Sequence, residues 1–131
     1  MNRLWNGRSP RPTSTIVGRR AERQALKYLQ RNGLRLVRRN YRCRFGEIDL
    51  IMRDDDCLVV VEVRYRVSAG FATPAITVDE RKQRKIVRTT QAYQSGTAKF
   101  SEWPVRFDVV AILRTEDGPG TIQWIRDAFR V

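Results

Sequence analysis

Apolar residues recur at helical spacing in two segments of the chain. In the first segment the positions that share this spacing are Ala21, Ala25, Tyr28 and Leu29, and a stop at Gly33 follows them. They predict a helix over residues 17–31. In the second segment Thr77-Val78-Asp79-Glu80 is typical of a capping box, which predicts a helix that starts there and ends at Gly96. The inward stripe of this second helix is expected to be Ile86, Thr90 and Tyr93.

Short apolar runs between and after these helices predict five strands. The runs cover residues 34–40, 47–53, 58–66, 105–113 and 121–125. Segments 67–74 and 116–120, rich in glycine and proline, are expected to be a loop and a turn. The order α-β-β-β-α-β-β predicts an α/β protein with a mixed β-sheet flanked by helices. Residues 1–15 have no period and predict a flexible basic arm, and residues 16–131 are expected to form one domain.

The second and third strands are expected to form a hairpin that carries two acids and a base. Centring its turn between Asp55 and Asp56 places Asp49 opposite Glu62 and Glu47 opposite Arg64. Opposed side chains lie about 4.5–5.5 Å apart at Cβ, where like charges destabilise the pair unless something neutralises them. A divalent cation does so, and carboxylate oxygens suit Mg²⁺ or Mn²⁺. The hairpin therefore predicts a metal site.

Simpler interpretations of the same residues stay open. Asp49 fits an exposed strand position, and Glu47 with Arg64 fits an ordinary cross-strand ion pair. Strand alternation places Glu62 and Arg64 on one face, with Val63 on the other. A slip of one residue in the register would reverse all of these faces.

Composition narrows the chemistry. The chain of 131 residues has no histidine, which excludes Ser-His-Asp and Cys-His nucleophiles and histidine-ligated zinc. Cys43 and Cys57 have no zinc spacing, no apolar run approaches the ~20 residues of a membrane span, and the N-terminus has no apolar core of a signal peptide. We therefore expect a cytoplasmic protein with reduced thiols and no membrane partner.

The charge favours a polyanion as partner. Lys and Arg number 26 against 14 Asp and Glu, a net charge of +12, so nucleic acid is the leading candidate. The second helix is densely basic and can follow phosphates, although a run of charges is usually a solvated face. Its cations, with one from the third strand, are the expected nucleic-acid contacts: Arg66, Arg81, Lys82, Arg84, Lys85 and Arg88.

A set of residues between Gly18 and Leu113 resembles the YraN-like family of small bacterial proteins. That family is similar to the restriction-endonuclease-like, PD-(D/E)XK, superfamily and to archaeal Holliday-junction resolvases. The residues that carry the resemblance are Ala21-Glu22, Tyr28-Leu29, Gly46-Glu47-Ile48-Asp49-Leu50-Ile51, Val61-Glu62-Val63-Arg64, Lys82, Tyr93 and Arg106-Phe107-Asp108-Val109. The spacing of GEIDLI and VEV followed by a basic residue is the most specific part.

The resemblance implies a restriction-endonuclease-like core αβββαβ and a set of site residues. Asp49 and Glu62 are implied as metal-binding carboxylates, Glu22 as a further ligand and Val63 as a ligand through its backbone carbonyl. Glu47 and Tyr93 are implied as supporting residues of the site. Arg64 stands where the motif has a lysine; it keeps a positive charge but cannot act as a base. Lys82 is the candidate for supplying an ammonium group from another direction.

Three functions remain in view. The first is a Mg²⁺- or Mn²⁺-dependent nuclease that acts on DNA, such as branched or damaged DNA, with Asp49, Glu62 and Arg64 as catalytic residues. The second is a non-catalytic nucleic-acid-binding module on a nuclease-like fold, which the arginine at position 64 favours. The third is a protein-interaction or ribosome-associated factor. Oligomeric state stays open; resolvases of this type suggest a homodimer, because a four-way junction has two-fold symmetry.

Overall fold

The computed structural model describes residues 16–68, 76–115 and 118–130. Within them the elements are α1 (Ile16–Arg31), β1 (Arg35–Cys43), β2 (Gly46–Asp54), β3 (Cys57–Ser68), α2 (Glu80–Ser95), a 3-10 turn (Ala98–Phe100), β4 (Val105–Thr115) and β5 (Gly118–Phe129). This order confirms the predicted sequence of helices and strands. The expected basic arm, most of the expected loop and the residues 116–117 lie outside the described residues.

The strands form one five-stranded sheet in the order β1-β2-β3-β4-β5. Neighbouring strands are antiparallel except β3 and β4, which are parallel and are joined through α2. A parallel pair needs such a crossover, because its second strand must start at the same end as the first. The sheet is therefore mixed, as the sequence predicted.

Each face of the sheet carries one helix and one hydrophobic core. The α1-side core packs Ala25 and Leu29 of α1 against Leu50, Val61 and Val110. The α2-side core packs Ile86 and Tyr93 against a different set of strand residues, which includes Ile48, Ile51, Val60, Phe107 and Val109. Apolar side chains on both faces explain why the central strands are almost continuously apolar in sequence. The fold is an α/β sandwich with helices on both faces.

The expected capping box of α2 lies two residues too early. The cap is Asp79, whose side chain accepts a hydrogen bond from the Lys82 backbone N–H at 2.9 Å, and the helix begins at Glu80. A Ser, Thr, Asp or Asn residue can cap a helix, so sequence alone did not distinguish Thr77 from Asp79. The predicted end at Gly96 is confirmed.

β5 is longer than the predicted segment 121–125. It begins at Gly118 and continues through Arg126 and Asp127 to Phe129. It lies at an edge of the sheet, where a proline such as Pro119 and polar residues are tolerated. A shift in the β4–β5 register between Phe107 and Val109 extends the pairing to Phe129. Because glycine and proline favour turns, the sequence predicted a shorter strand than the structure has.

Candidate active site

The sheet opens between β2 and β3. Their ladder runs from the pair Asp54–Cys57 to the pair Leu50–Val61 and stops there. Beyond this point β2 stays paired with β1 as far as Gly46, and β3 stays paired with β4 as far as Ser68. β2 and β3 thus stop pairing with each other, while β2 stays paired with β1 and β3 stays paired with β4. Asp49 and Glu62 are the first residues of β2 and β3 past the last pair.

Asp49 is held inside this opening. Its side chain is buried, and its Oδ2 accepts a hydrogen bond from the backbone N–H of Val63 at 2.8 Å. A carboxylate therefore takes the place of the backbone carbonyl that would continue the ladder. Because Val63 follows Glu62 in β3, the hydrogen bond fixes Asp49 beside the strand that carries the second acid.

The hairpin register predicted from sequence is confirmed in the part that pairs. The turn is Asp55-Asp56, and all five pairs from Asp54–Cys57 to Leu50–Val61 follow the expected alignment. Asp49 and Glu62 would be the next pair. The structure places the opening of the sheet there instead, so both acids are adjacent in register but are not joined by the backbone ladder.

Glu62 lies between two cations. Its Oε2 is 2.9 Å from Lys82 Nζ and 3.5 Å from Arg64 Nε, and its side chain is 11% exposed. Val63 packs in the α1-side core, so alternation places Glu62 and Arg64 on the opposite face, as predicted. That face is the one that α2 covers. An ammonium group from α2 therefore reaches the acid of β3 next to the arginine that stands at the motif's lysine position.

Arg64 retains unused donor capacity. Its Nε is buried and, among the atoms that the structure describes, has no hydrogen-bond partner; the 3.5 Å contact with Glu62 is an ion pair rather than a hydrogen bond. A buried donor without an acceptor costs roughly 1–3 kcal/mol, more for a charged group. An anionic oxygen placed in this opening would satisfy it.

The remaining predicted site residues are Glu47, Glu22 and Tyr93. Glu47 forms an ion pair with Arg42 of β1, with 3.3 Å between Glu47 Oε2 and Arg42 Nε. Glu22 is half-buried on α1, whereas the side chain of Glu62 faces α2. Tyr93 lies in the α2-side core, roughly 16 Å along the helix from Lys82 at 1.5 Å per residue. Within the described ranges, no three or more Asp, Glu or Cys side chains form a group that could hold a metal ion.

The predicted nucleic-acid contacts lie on the surface around this site. Arg66 at the end of β3 is exposed, and so are the cations of α2 that follow Lys82 in the helix: Arg84, Lys85 and Arg88. Arg81 is exposed as well, and Arg84 is 3.9 Å from Glu80. The helix that supplies Lys82 to the opening therefore also carries a row of solvent-facing cations. No helix in the described parts of the chain is long and apolar enough to cross a membrane.

Comparison with known sequences assigns the chain to a family. The sequence model of the uncharacterised protein family UPF0102 matches residues 21–112. The chain belongs to the UPF0102 family. Among its relatives, a UPF0102 protein of Pseudomonas putida is 42% identical over 120 residues, which cover 92% of this chain and 98% of the relative. A relative from Nitrosococcus oceani is 47% identical over 114 residues, 87% of this chain and 91% of its own length.

The UPF0102 match confirms the resemblance to YraN-like proteins. The matched segment, residues 21–112, contains both edges of the opening, Lys82 on α2 and Asp108 on β4. The structure of this UPF0102 protein, with its mixed sheet and two helices, is consistent with the restriction-endonuclease-like core that the sequence predicted.

Two features of this UPF0102 protein were not found from sequence. One is the contact between Lys82 and Glu62, for which the sequence offered a candidate lysine but no distance. The other is Phe45 at the turn between β1 and β2, where the Arg44 and Arg88 guanidinium carbons are 4.9 and 6.0 Å from its ring centroid. An aromatic residue between arginine and glycine in a turn was the available signal, since turns rarely need an apolar ring.

Proposed function

We propose that this protein is a metal-dependent nuclease that hydrolyses phosphodiester bonds in DNA. The observation that carries the proposal is the opening of the sheet at Asp49 and Glu62, next to Lys82 and Arg64, on a chain with a net charge of +12. The basic surface attracts the polyanion. The opening then presents two acids that can hold a cation and two basic groups that can stabilise phosphate charge.

Asp49 and Glu62 are the proposed holders of a Mg²⁺ or Mn²⁺ ion. The donor set fits such an ion, because Mg²⁺ is commonly bound through one or two carboxylates, with water and substrate phosphate as the other ligands. The Val63 carbonyl is a further candidate ligand. Two carboxylates suffice in this scheme, so it does not depend on Glu22, which lies on α1. When bound, the ion would acidify a water molecule and polarise the scissile phosphate.

The cations of the site have separable roles in this proposal. Lys82 Nζ contacts Glu62 at 2.9 Å and orients its carboxylate. Arg64 directs a buried N–H without an acceptor into the same region, where it would donate to a phosphate oxygen and stabilise the charge that develops on it. Arginine cannot deprotonate here, so it acts on the phosphate and not as a base. Lys82 thus supplies the ammonium group that position 64 lacks.

A cleavage assay tests the nuclease. Single-stranded, duplex, flap and four-way-junction DNA would be incubated at low salt with Mg²⁺ or Mn²⁺. We expect metal-dependent cleavage that falls at least 100-fold in Asp49→Ala and in Glu62→Ala, since loss of one charge-stabilising group costs roughly 10²–10³ in rate. Asp56→Ala is the matched control, because it removes a carboxylate that is 93% exposed in the β2–β3 turn. Cleavage that survives both site variants would refute the assignment.

A metal-binding assay is independent of cleavage. A ligand that binds only the folded state raises stability by RT ln(1 + [L]/Kd). Millimolar Mn²⁺ should therefore raise the melting temperature of the wild type and of Asp56→Ala, but not that of Asp49→Ala. An unchanged melting temperature in the wild type would count against the metal site.

The alternative is a non-catalytic nucleic-acid-binding module. A specific observation favours it: Lys82 and Arg64 both neutralise Glu62, so the acidic pair has charge compensation from the protein itself. Binding of DNA without cleavage at every metal concentration would support this module. Cleavage lost in Lys82→Ala and partly retained in Lys82→Arg would favour the nuclease instead.

A further inference from the structure

Phe45 occupies a position that hydrophobic packing does not explain. Phe100, Phe107 and Phe129 pack in the α2-side core, but Phe45 belongs to neither core and remains partly exposed at the turn between β1 and β2. Its ring is accompanied by cations instead. Arg44 and Arg88 place their guanidinium carbons 4.9 and 6.0 Å from the ring centroid.

The turn that carries Phe45 is fixed against α2. A Cβ added to Gly46 would lie 3.1 Å from Thr89 Oγ1, so backbone and helix approach as closely as glycine allows. Thr89 is fully buried and its hydroxyl donates to the Lys85 carbonyl at 2.8 Å. Arg88 precedes Thr89 in the helix. The ring and its two cations are therefore built from two elements in contact, and not from a turn alone.

This arrangement matches the chemistry of an unpaired nucleotide. A base stacks on an aromatic ring through its π-face, and guanidinium groups stack on bases or contact the adjoining phosphates. In a duplex both faces of each base are covered by its neighbours, so duplex DNA would offer the arginines its phosphates and leave the ring unused. A ring flanked by arginines favours a single strand over a duplex.

The distance between the ring and the candidate active site allows one nucleic-acid strand to contact both. Phe45 immediately precedes β2 and lies four residues before Asp49, a backbone span of roughly 13 Å at 3.3 Å per residue. This is about the length of four stacked nucleotides at 3.4 Å each. A strand that places a phosphate at the opening can therefore reach the ring a few nucleotides away.

We propose that Phe45, with Arg44 and Arg88, is a stacking site for an unpaired base, which makes nucleic acid with a single-stranded segment the preferred ligand. The inference rests on the nucleic-acid-binding part of the proposed function and not on cleavage. The stacking site lies outside the proposed metal site and identifies the class of nucleic acid that the protein prefers.

Binding without metal tests the stacking site. The full chain would be titrated in EDTA against fluorescein-labelled single-stranded oligothymidine and against a duplex of equal length, with anisotropy as the readout. We expect Phe45→Ala and Phe45→Leu to weaken single-strand binding about tenfold, and duplex binding by less than twofold. Phe45→Trp should restore single-strand binding. Leucine keeps apolar volume without a π-face, so it separates stacking from packing and covers the case that alanine disturbs the turn.

A matched control removes another exposed apolar side chain. Leu36 on β1 is 37% exposed and lies outside both cores, and Leu36→Ala should leave both affinities within twofold. Equal losses on single strand and duplex, or wild-type binding by Phe45→Leu, would overturn the stacking site. Competition by polyglutamate as strong as by oligothymidine would show that charge alone governs the surface, and would overturn it too.

The outcomes distinguish this inference from the proposed nuclease. Aromatic-dependent binding of single strands by a protein that never cleaves would retain the stacking site and refute the nuclease. Metal-dependent cleavage that is insensitive to Phe45→Leu on every substrate, with unchanged single-strand affinity, would retain the nuclease and refute the stacking site.

Discussion

At the scale of single residues, Asp108 is a tightly held polar group outside the proposed site. It is fully buried on β4, and its two oxygens accept four hydrogen bonds of 2.9 Å from the Arg106 Nε and Nη2, the Trp124 indole N–H and the Asp127 backbone N–H. Arg106 also contacts Asp54 at 3.2 Å. Hydrogen bonding to Asp108 raises the pKa of Arg106 above its usual value. The network joins β2, β4 and β5.

Loss of the Asp108 charge should destabilise the fold. We expect Asp108→Asn to lower the free energy of unfolding by about 3 kcal/mol, because the variant leaves the partly buried Arg106 without its principal counter-charge and replaces an acceptor by a donor. Urea unfolding at neutral pH measures the change. Asp56→Asn, at an exposed turn position, should stay within about 0.5 kcal/mol of the wild type. A loss below about 1 kcal/mol for Asp108→Asn would contradict the structural role.

At the scale of elements, the N-terminus of α2 links stability to the site. Asp79 caps the helix by accepting from the backbone N–H of Lys82, and the side chain of the same lysine contacts Glu62. Gln83 adds a side-chain hydrogen bond of 2.7 Å to the Val78 carbonyl. The first turn of α2 therefore fixes both the start of the helix and the position of the ammonium group.

Removing this cap should affect stability and the site together. Asp79→Ala should cost about 1 kcal/mol of unfolding free energy, since the Lys82 N–H loses its acceptor. Asp79→Ser keeps a capping oxygen and should retain most of the stability. Urea unfolding gives both values, and amide exchange at Lys82 should accelerate in the alanine variant only. Equal stability of the alanine and serine variants would show that the cap contributes little.

The β2–β3 hairpin shows which features of an element a local sequence pattern can predict and which it cannot. Two apolar runs around an acidic two-residue turn were enough to predict its register, because centring the turn between Asp55 and Asp56 sets every pair that follows. The opening beyond Leu50 and Val61 was not predictable in the same way. Beyond that point β3 stays paired with β4, which is a contact between segments distant in sequence that no local pattern encodes.

At the scale of the whole molecule, the excess of positive charge is the property that most affects the choice of partner. The net charge of +12 is carried in part by the exposed face of α2, next to the opening of the sheet. α1 also bears exposed arginines, but it lies on the other face of the sheet. If a polyanion binds at the opening, only the cations of the α2 side should contribute contacts.

Salt dependence should reveal this asymmetry. Each phosphate contact contributes roughly one unit to the slope of log K against log salt concentration. The double variant Lys85→Gln/Arg88→Gln should therefore lower the slope for duplex DNA by about two units. Arg20→Gln/Arg23→Gln on α1 changes the net charge equally and should lower it by less than about half a unit. Similar decreases in both variants would mean that binding responds to total charge and not to this surface.

The order of the elements, the α/β class, the hairpin register and the identity of the acids were predictable from sequence, because periodicity and turn residues are local consequences of backbone geometry. The composition also excluded histidine chemistry. The partners of the acids and of Phe45 depend instead on how the elements pack. Lys82 reaches Glu62 only because α2 packs over β3, and Phe45 meets Arg88 only because Gly46 lets the turn approach Thr89. These contacts join residues far apart in the chain, and no local pattern encodes their distances.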